Sequence, residues 1–569
     1  MTRSHETDSP PRQLVLCCDG TNNTLTAHRA DTHVLRLYEH LAQHPCSRRL
    51  LHYDPGVGSP GGVPPTDPMD WLARKTERIA GLASGRGIYA NIGDAYLFLM
   101  RHYRSERDEI YLFGFSRGAF TARCVAGMVN LFGIVGAEHE AMLPTLIRVY
   151  FSLSDGDVSG YHRAMLRLNA RLFGKGSSRL ALAQQVRDDF TTPPGRDAWI
   201  QCVGVWDTVE SVGLPGPLSR KNPNTATLRG KRIHHVRQAL AFDEHRWTFE
   251  PRLYHEPDDL DLAHPRQTLR QRWFPGVHCD VGGSYRAEEA GLSNETLRWM
   301  LDEAIDCGLA TEPLPPATVE PAVRHDALFQ TPWWALAGMC LRDMQPTTTP
   351  TAAAPRREPI VVRPGPTAAP PIGSVWAQQR SALALSVAAL FAALCLWRSG
   401  ASLTGEGWAM FVQPRTWWPT ACAVMPFSGA QLWGACAGAT PIVHHAGGGM
   451  VWSMLWDLGF IVGWGYLLAR IASRAFAWLA GWRAPGMPLP AWRVLGFMPL
   501  LAVGADVSED LLSVAAIAVA ALGAEPAAWC LGGLAWLATY LKFAGLLACV
   551  PLLAVRLWIA MPWVDRSPG

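Results

Sequence analysis

Short apolar runs, separated by amphipathic stretches and glycine-rich turns, occupy the first 343 residues of the chain. The clearest runs are Leu14–Cys18, Ile110–Phe113 and Trp199–Trp206. Apolar runs of this length that alternate with helix-compatible segments are typical of strands and helices in an α/β sheet. The pattern therefore predicts one α/β domain over residues 14–343.

Polar or turn-forming residues follow each of these three runs. Asp19 and Gly20 follow the first run, Gly114 follows the second, and Asp207 follows the third. Open α/β sheets bind ligands at the carboxyl ends of their strands. We therefore expect the functional residues of the domain to lie at this edge of the sheet.

The pattern changes on both sides of this domain. Residues 1–13 are polar and lack the apolar segment of a secretory signal, so we expect them to be disordered. Residues 344–375 are rich in proline, threonine and alanine and contain few large apolar side chains, which predicts an extended linker. Residues 376–569 follow as a third region.

Residues 376–569 are predicted to form a helical transmembrane domain. The 189 residues after Arg380 carry only sixteen of the 99 Lys, Arg, Asp and Glu residues, but fifteen of the 24 tryptophans. Tryptophan is enriched at the interface between membrane and water. The apolar stretches that predict transmembrane helices are Ser381–Trp397, Met450–Ala469, Ala527–Leu541 and Phe543–Val555.

Acidic residues interrupt this apolar sequence. Asp457 lies inside the second stretch, and Asp506, Glu509 and Asp510 separate two short apolar runs within residues 494–523. This segment is either one tilted helix whose acids face protein, or two interfacial or re-entrant halves. Because acidic residues within apolar sequence often line transport pathways, a second interpretation is a transporter or channel whose cytoplasmic domain is regulatory.

Four arginines predict the orientation in the membrane. Arg470, Arg474, Arg483 and Arg493 follow the second predicted span, and no acidic residue lies among them. Positively charged loops stay in the cytoplasm. We therefore expect a multi-pass membrane protein whose α/β domain is cytoplasmic.

Charge and cysteine content exclude other classes. The formal net charge is +3, from 51 Lys and Arg against 48 Asp and Glu, so no nucleic-acid partner is expected. The 13 cysteines are scattered without a Cys-x-x-Cys pair, which indicates reduced thiols and no zinc ribbon. We expect neither a metal nor a cofactor.

The segment Gly114–Gly118 (GFSRG) has the G-x-S-x-G pattern of a nucleophile elbow. It follows an apolar strand and precedes Ala119–Val129, which is compatible with a helix. In such a turn the glycines let the serine hydroxyl stay exposed, and the next backbone N–H points toward a developing oxyanion. Ser116 is therefore the candidate nucleophile, and the Arg117 N–H is a candidate oxyanion donor.

A serine nucleophile requires a base and an acid, and in enzymes with this elbow the acid comes before the histidine in the chain. Asp207 ends the third apolar run and His278 lies in a glycine-flanked loop, so these are the candidate acid and base. Asp280 and Asp243 remain alternative acids. Purely structural roles also remain as alternatives. Asp207 could cap a following helix, and His278 could be a loop histidine that is hydrogen-bonded to the backbone.

The turn after the first apolar run is the candidate source of a second oxyanion donor. A backbone N–H of Gly20 or Thr21 would supply it if this loop lies beside the elbow. The alternative is that Asp19, Gly20 and Thr21 only end the strand.

The sequence resembles the α/β-hydrolase family of type VI secretion lipase effectors over about residues 12–343. The resemblance rests on five segments in order, which are LCCDGTNNT at 16–24, GFSRGAFTAR at 114–123, VGVWDTV at 203–209, ALAFDEHR at 239–246 and GVHCDVGGSY at 276–285. It implies a doubly wound sheet with inserted helices. It also implies Ser116 as nucleophile, Asp207 as triad acid and His278 as base.

Characterised members of that family hydrolyse acyl esters of membrane glycerophospholipids, so the resemblance implies a phospholipase that acts on the lipid bilayer. The predicted spans and the arginine-rich loop indicate the bacterial inner membrane as the location. The alternative that the resemblance offers is delivery to a target-cell membrane, with a secretion-system or immunity protein as partner.

From the residues and the resemblance together, we expect a membrane-anchored serine esterase of the phospholipase or lipase type. The alternatives are a hydrolase-like sensor or docking module without catalysis, and the regulatory domain of a transporter.

Overall fold

The structure is a computed structural model. It describes residues 10–20, 31–56, 86–152, 179–209, 231–254, 267–315, 323–342, 459–473, 475–476 and 489–521, with scattered positions between 387 and 394 and between 531 and 550. The chain divides into two compact units. The first comprises Met1–Glu244, Thr248–His325 and Met344–Pro366, and the second comprises His245–Trp247, Asp326–Asp343 and Thr367–Gly569.

The first unit contains a six-stranded, fully parallel sheet with the strand order β2-β1-β3-β4-β5-β6. The strands are β1 (Gln13–Cys18), β2 (Arg49–Asp54), β3 (Glu109–Phe115), β4 (Ile200–Trp206), β5 (Ile233–Ala241) and β6 (Thr268–Phe274). A parallel sheet of this kind must be covered on both faces.

Eight described helices belong to this unit. They are α1 (His33–Gln43), α2 (Arg86–His102), α3 (Arg117–Phe132), α4 (Leu143–Phe151), α5 (Arg179–Phe190), α6 (Pro193–Arg196), α7 (His278–Gly282) and α8 (Gly291–Asp306). Short 3-10 turns occur at Ala137–Met142 and Ala287–Glu289.

Side chains of β1 alternate between two hydrophobic clusters, one on each face of the sheet. Leu14 and Leu16 pack into the cluster that also contains residues of α2 and α3. Val15 and Cys17 pack into the cluster that contains residues of α1 and α8. Complete burial of a leucine side chain contributes about 1.5–3 kcal/mol, so the alternation holds both helical layers on the sheet.

The winding direction of the chain changes between β1 and β3. Helix α1 joins β1 to β2 on one face, and α2 joins β2 to β3 on the other face. The loops that leave the carboxyl ends of β1 and β3 therefore diverge and leave a crevice, which is where doubly wound sheets bind ligands.

Three of the observed strands and one helix lie where the sequence pattern predicts them. The predicted apolar runs form β1, β3 and β4, and Ala119–Val129 lies inside α3. The prediction of an α/β sheet is confirmed.

The second unit has its own hydrophobic cluster. Among its described elements are α9 (Ala327–Gln330), a 3-10 turn at Pro332–Ala337, a helix at residues 459–473, and α10 (Leu489–Ala521). Met339 and Phe476 are both buried in the cluster, and the Met339 N–H donates to the Gly496 carbonyl at 3.0 Å. Residues 326–343, which the sequence pattern assigned to the α/β domain, thus pack with the C-terminal region.

Helix α10 spans the segment that the sequence left open. It runs unbroken through the acidic residues. Asp506 is 2% exposed and accepts hydrogen bonds from Trp464 Nε1 at 3.0 Å and from Lys542 Nζ at 2.6 Å. Glu509 accepts from the same ammonium at 2.8 Å. Of the two alternatives, the single helix whose acids face protein is the one observed.

Within the described residues, no helix combines the length and the apolar character that a membrane crossing requires. The expected transmembrane domain therefore has no support from this part of the chain. Most of the predicted spans at 381–397 and 527–555 lie outside the described residues, as do residues 1–9, Asp457 and the predicted linker.

Candidate active site

Ser116 occupies a strained turn between β3 and α3. Its backbone angles are φ 56° and ψ −119°, a region that residues other than glycine rarely adopt. The flanking glycines are sterically required, because a Cβ on Gly114 would lie 2.4 Å from the Gly118 oxygen, and a Cβ on Gly118 would lie 2.1 Å from the Cys18 oxygen. A strand, a strained serine and a helix in succession are the arrangement that the motif predicts.

Asp207 follows β4, the neighbour of β3 in the sheet. It also has a positive φ, at 39°. The Ser116 N–H donates to the Trp206 carbonyl at 3.0 Å, and the Val209 N–H donates to the Ser116 carbonyl at 3.3 Å. These bonds fix the serine turn to the turn that carries Asp207.

Asp207 and His278 are in direct contact, and both are buried. His278 Nδ1 lies 2.5 Å from Asp207 Oδ2. The other carboxylate oxygen accepts from the Ala241 N–H at 3.1 Å, so β5 fixes the orientation of the acid. A buried carboxylate on Nδ1 holds the ring in the tautomer whose Nε2 accepts a proton, and it stabilises the imidazolium that then forms.

Two phenylalanines pack on the imidazole. The ring centroids of Phe115 and Phe249 lie 4.6 Å and 5.0 Å from that of His278. Phe115 precedes Ser116, so the base packs beside the elbow. Ser116 itself is partly exposed, and within the described residues no hydrogen bond joins its hydroxyl to His278.

Three carboxylates hold the backbone that leads into His278. The donors and acceptors are Gly276 N to Asp243 Oδ2 at 2.6 Å, Val277 N to Asp280 Oδ2 at 2.9 Å, and His278 N to Glu244 Oε2 at 3.2 Å. The two alternative acids, Asp243 and Asp280, thus bind backbone N–H groups, whereas Asp207 binds the imidazole. Asp207 is the acid that this geometry favours.

The three backbone N–H groups predicted as oxyanion donors, those of Arg117, Gly20 and Thr21, differ in whether they already have an acceptor. Arg117 is the first residue of α3, where a backbone N–H has no acceptor inside the helix. The Gly20 N–H donates to Asp19 Oδ1 at 2.6 Å. Thr21 lies outside the described residues.

Asp19 organises the loop after β1. Besides the Gly20 N–H, it accepts hydrogen bonds on Oδ2 from the hydroxyls of Thr32 at 2.5 Å and Tyr53 at 2.9 Å. The close approach of Cys18 to Gly118 brings this loop against the start of α3. The expected proximity of the loop to the elbow is therefore observed.

The Arg117 side chain is a partly buried cation beside the nucleophile. It has no hydrogen bond or ion pair with the residues that the structure describes. Burial lowers the pKa of Arg117 to about 10, so the guanidinium stays charged near neutral pH. A desolvated guanidinium without an acid is well suited to an anionic ligand, because such a ligand compensates the cost of burial.

Glu244, Arg324 and His325 were not identified from the sequence. Glu244 lies in the ALAFDEHR segment next to Asp243, so the motif offered a signal for it. Arg324 and His325 lie in no recognised motif. Their contacts with Asp243 and Asp280 join residues far apart in the chain.

Comparison with known proteins identifies relatives of the first unit. The family described as "T6SS, Phospholipase effector Tle1-like, catalytic domain" matches residues 12–303, just over half of the chain. The uncharacterized protein YEL023C of Saccharomyces cerevisiae is 24% identical over 422 residues. That alignment covers 54% of this chain and 58% of the yeast protein. No solved structure matches the chain.

Proposed function

Because the chain belongs to the Tle1-like catalytic domain family of type VI secretion phospholipase effectors, we propose that it is a serine hydrolase that cleaves acyl esters of membrane phospholipids. In this proposal Ser116 is the nucleophile, His278 the base and Asp207 the acid. The observation that carries it is the buried contact between Asp207 and His278, beside a serine in a strained turn.

The reaction has two halves. Ser116 Oγ attacks the ester carbonyl carbon while its proton passes to His278 Nε2, and the Asp207 carboxylate stabilises the imidazolium. The tetrahedral intermediate collapses to an acyl-serine, and His278 returns the proton to the departing alcohol. Water then attacks the acyl-serine by the same route, which releases a fatty acid and restores Ser116.

The Arg117 N–H is the first oxyanion donor in this proposal. It lies at the positive end of α3, where the helix dipole favours negative charge. Gly20 or Thr21 is the proposed source of the second donor. For Gly20 this requires the N–H to turn from Asp19 to the oxyanion when substrate binds.

The Arg117 guanidinium favours a phospholipid over a neutral lipid. A phosphodiester carries one negative charge and accepts paired hydrogen bonds from a guanidinium. Arg117, which has no acidic partner among the residues that the structure describes, is the proposed binding group for the phosphate next to the scissile ester.

The bilayer is the proposed site of action. The low charge and high tryptophan content after Arg380 support a membrane anchor, with the first unit in the bacterial cytoplasm. An anchored domain meets lipid esters at high local concentration. Delivery to a target membrane, with a secretion-system or immunity protein as partner, belongs to the same proposal.

The test is hydrolysis of phospholipid vesicles by the purified full chain. We expect fatty acid release by the natural sequence and a loss on the order of 10⁶-fold in Ser116→Ala. Ser152→Ala, which removes an exposed hydroxyl, is the matched control and should keep full activity. Equal fatty acid release by Ser116→Ala would contradict the proposal and favour a sensor or docking role.

A further inference from the structure

The base turn, residues Gly276–Asp280, depends on acidic side chains that themselves require fixed positions. Asp243, Glu244 and Asp280 each accept one of three consecutive N–H groups in this turn. Carboxylates packed this closely repel one another unless cations or further donors compensate their charge.

Two neighbouring residues, Arg324 and His325, supply such compensation. His325 Nδ1 lies 2.6 Å from Asp280 Oδ1, and the backbone N–H of His325 donates to Asp280 Oδ2 at 3.1 Å. Arg324 Nη1 lies 3.6 Å from Asp243 Oδ1. Two adjacent residues thus contact two of the three acids that hold the base turn.

His325 is itself held in place. Tyr285 stacks on its ring with a centroid separation of 3.5 Å and an interplanar angle of 10°. Its Nε2 lies 3.5 Å from Glu289 Oε2, and its side chain is 6% exposed. The ring therefore has an acid at each nitrogen and an aromatic cover, which leaves it little freedom to rotate.

We propose that His325 is a positioning residue for the proposed base, because it fixes Asp280 and thereby the backbone that carries His278. The inference rests on the function proposed above. His325 acts through Asp280 and Val277 and takes no part in bond making. The chain enters the second unit at Asp326, immediately after this residue.

The effect on catalysis follows from the distance sensitivity of proton transfer. Displacement of a catalytic group by about 1 Å can cost on the order of a hundredfold in rate. If Asp280 loses its contacts with His325, the Val277 N–H loses a fixed acceptor. His278 then shifts relative to both Asp207 and Ser116.

The positioning contact depends on pH. Burial lowers the pKa of His325, but the hydrogen bond and charge of Asp280, together with Glu289, outweigh it, so the pKa lies above its ordinary value. A raised pKa means that the ionic contact is fully present at low pH and is lost as pH rises through that value. The charged groups that face the ring are Asp280 from α7 and Glu289 from the 3-10 turn, with Arg324 adjacent in the chain.

Two substitutions of His325 distinguish the effect of its charge on kcat from the effect of its hydrogen bond. His325→Ala removes both, and we expect kcat to fall about ten- to hundredfold with KM nearly unchanged. His325→Asn keeps a donor to Asp280 without the charge, so we expect it to recover only part of that kcat, to the level that the natural sequence reaches once His325 has lost its proton. Reaction with a fluorophosphonate, counted per chain, verifies that both variants remain folded.

The pH profile distinguishes positioning from a merely structural role. We expect kcat of the natural sequence to fall at alkaline pH as His325 loses its proton. In His325→Asn the alkaline fall should be absent. His235→Asn is the control, because burial and Arg237 lower the pKa of His235 to about 4 and keep it neutral throughout.

A spectroscopic readout makes the inference independent of turnover. The proton between His278 Nδ1 and Asp207 should give a far-downfield NMR resonance, which should move or broaden in His325→Ala and stay unchanged in His235→Asn. An unmoved resonance, an unchanged kcat in His325→Ala or an alkaline fall that persists in His325→Asn would each overturn the inference. If the natural sequence gives the resonance but neither hydrolysis nor labelling, the proposed function fails instead.

Discussion

Arg117 and Ser116 are neighbours in the chain, yet their side chains have separate tasks in our account. The hydroxyl makes the bond to the acyl group, and the guanidinium selects a substrate that carries a phosphate. Within the described residues the guanidinium has no acid of its own. A charged hydrogen bond contributes about 1.5–3 kcal/mol, so its loss should be visible in binding.

Arg117→Gln should raise KM for phosphatidyl substrates by about tenfold or more, because the neutral side chain loses the charged hydrogen bonds to phosphate. Hydrolysis of a short neutral ester should change little, since the Arg117 backbone N–H remains. Arg117→Lys keeps the charge without the paired donors and should fall in between. An equal loss on both substrates would show that Arg117 supports the elbow and does not recognise phosphate.

The start of helix α3 packs closely against the carboxyl end of β1, and Gly118 makes this contact possible. No side chain fits at position 118, since the carbonyls of Cys18 and Asp19 would lie 2.1 and 2.4 Å from its Cβ. Both are backbone atoms and cannot rotate away. The elbow therefore depends on the packing of two elements as well as on the strained serine.

Gly118→Ala should lower the free energy of unfolding of the first unit by about 1–3 kcal/mol, because an added methyl group overpacks the contact between β1 and α3. Chemical denaturation followed by tryptophan fluorescence measures this loss. Gly504→Ala is the control, since a Cβ there meets nothing within 4 Å, and it should leave the first unit unchanged. Equal stability of Gly118→Ala would contradict the close packing described here.

The strands that the sequence predicted are those with continuous apolar runs. β1, β3 and β4 lie in the middle of the sheet and are almost fully buried. The edge strand β6 alternates exposed and buried residues and reads as polar. β5 contains Arg237, whose buried charge is compensated by an ion pair with Glu303 in α8 and a hydrogen bond to Thr268 in β6. No local sequence pattern shows these tertiary contacts.

The same limit applies to the candidate site. The motif, a strand end and a glycine-flanked loop were enough to identify Ser116, Asp207 and His278 as candidates, and the structure brings Asp207 and His278 into contact. The roles of Asp243 and Asp280 could not be assigned, because a carboxylate near a histidine looks the same in sequence whether it binds the ring or the backbone. His325 was missed since only the folded chain brings it to Asp280.

Charge is distributed unevenly along the chain. The sequence up to Arg380 carries 83 of the 99 Lys, Arg, Asp and Glu residues, and the C-terminal sequence is poor in charge. In the second unit the Lys542 ammonium contacts both Asp506 and Glu509, so acids that interrupt the apolar sequence are compensated inside the protein. Such pairing lets an otherwise apolar region retain these charges.

The full chain expressed in bacteria should stay with the membrane pellet after an alkaline carbonate wash, because the region after Arg380 is proposed to insert in the bilayer. An added protease should cut the first unit only after the inner membrane has been broken, because this unit is proposed to lie in the cytoplasm. Release of the chain into the wash would contradict insertion and leave surface binding as the explanation.

Covalent labelling shows whether Ser116, His278 and Asp207 form one reactive centre, as proposed. A fluorophosphonate carrying a long alkyl chain should modify the full chain once, and peptide mass spectrometry should place the adduct on Ser116. The rate of labelling should fall on the order of 10³-fold or more in His278→Ala, because the serine loses its base. An adduct on another residue, or a labelling rate that does not depend on His278, would rule out a reactive centre formed by these three residues.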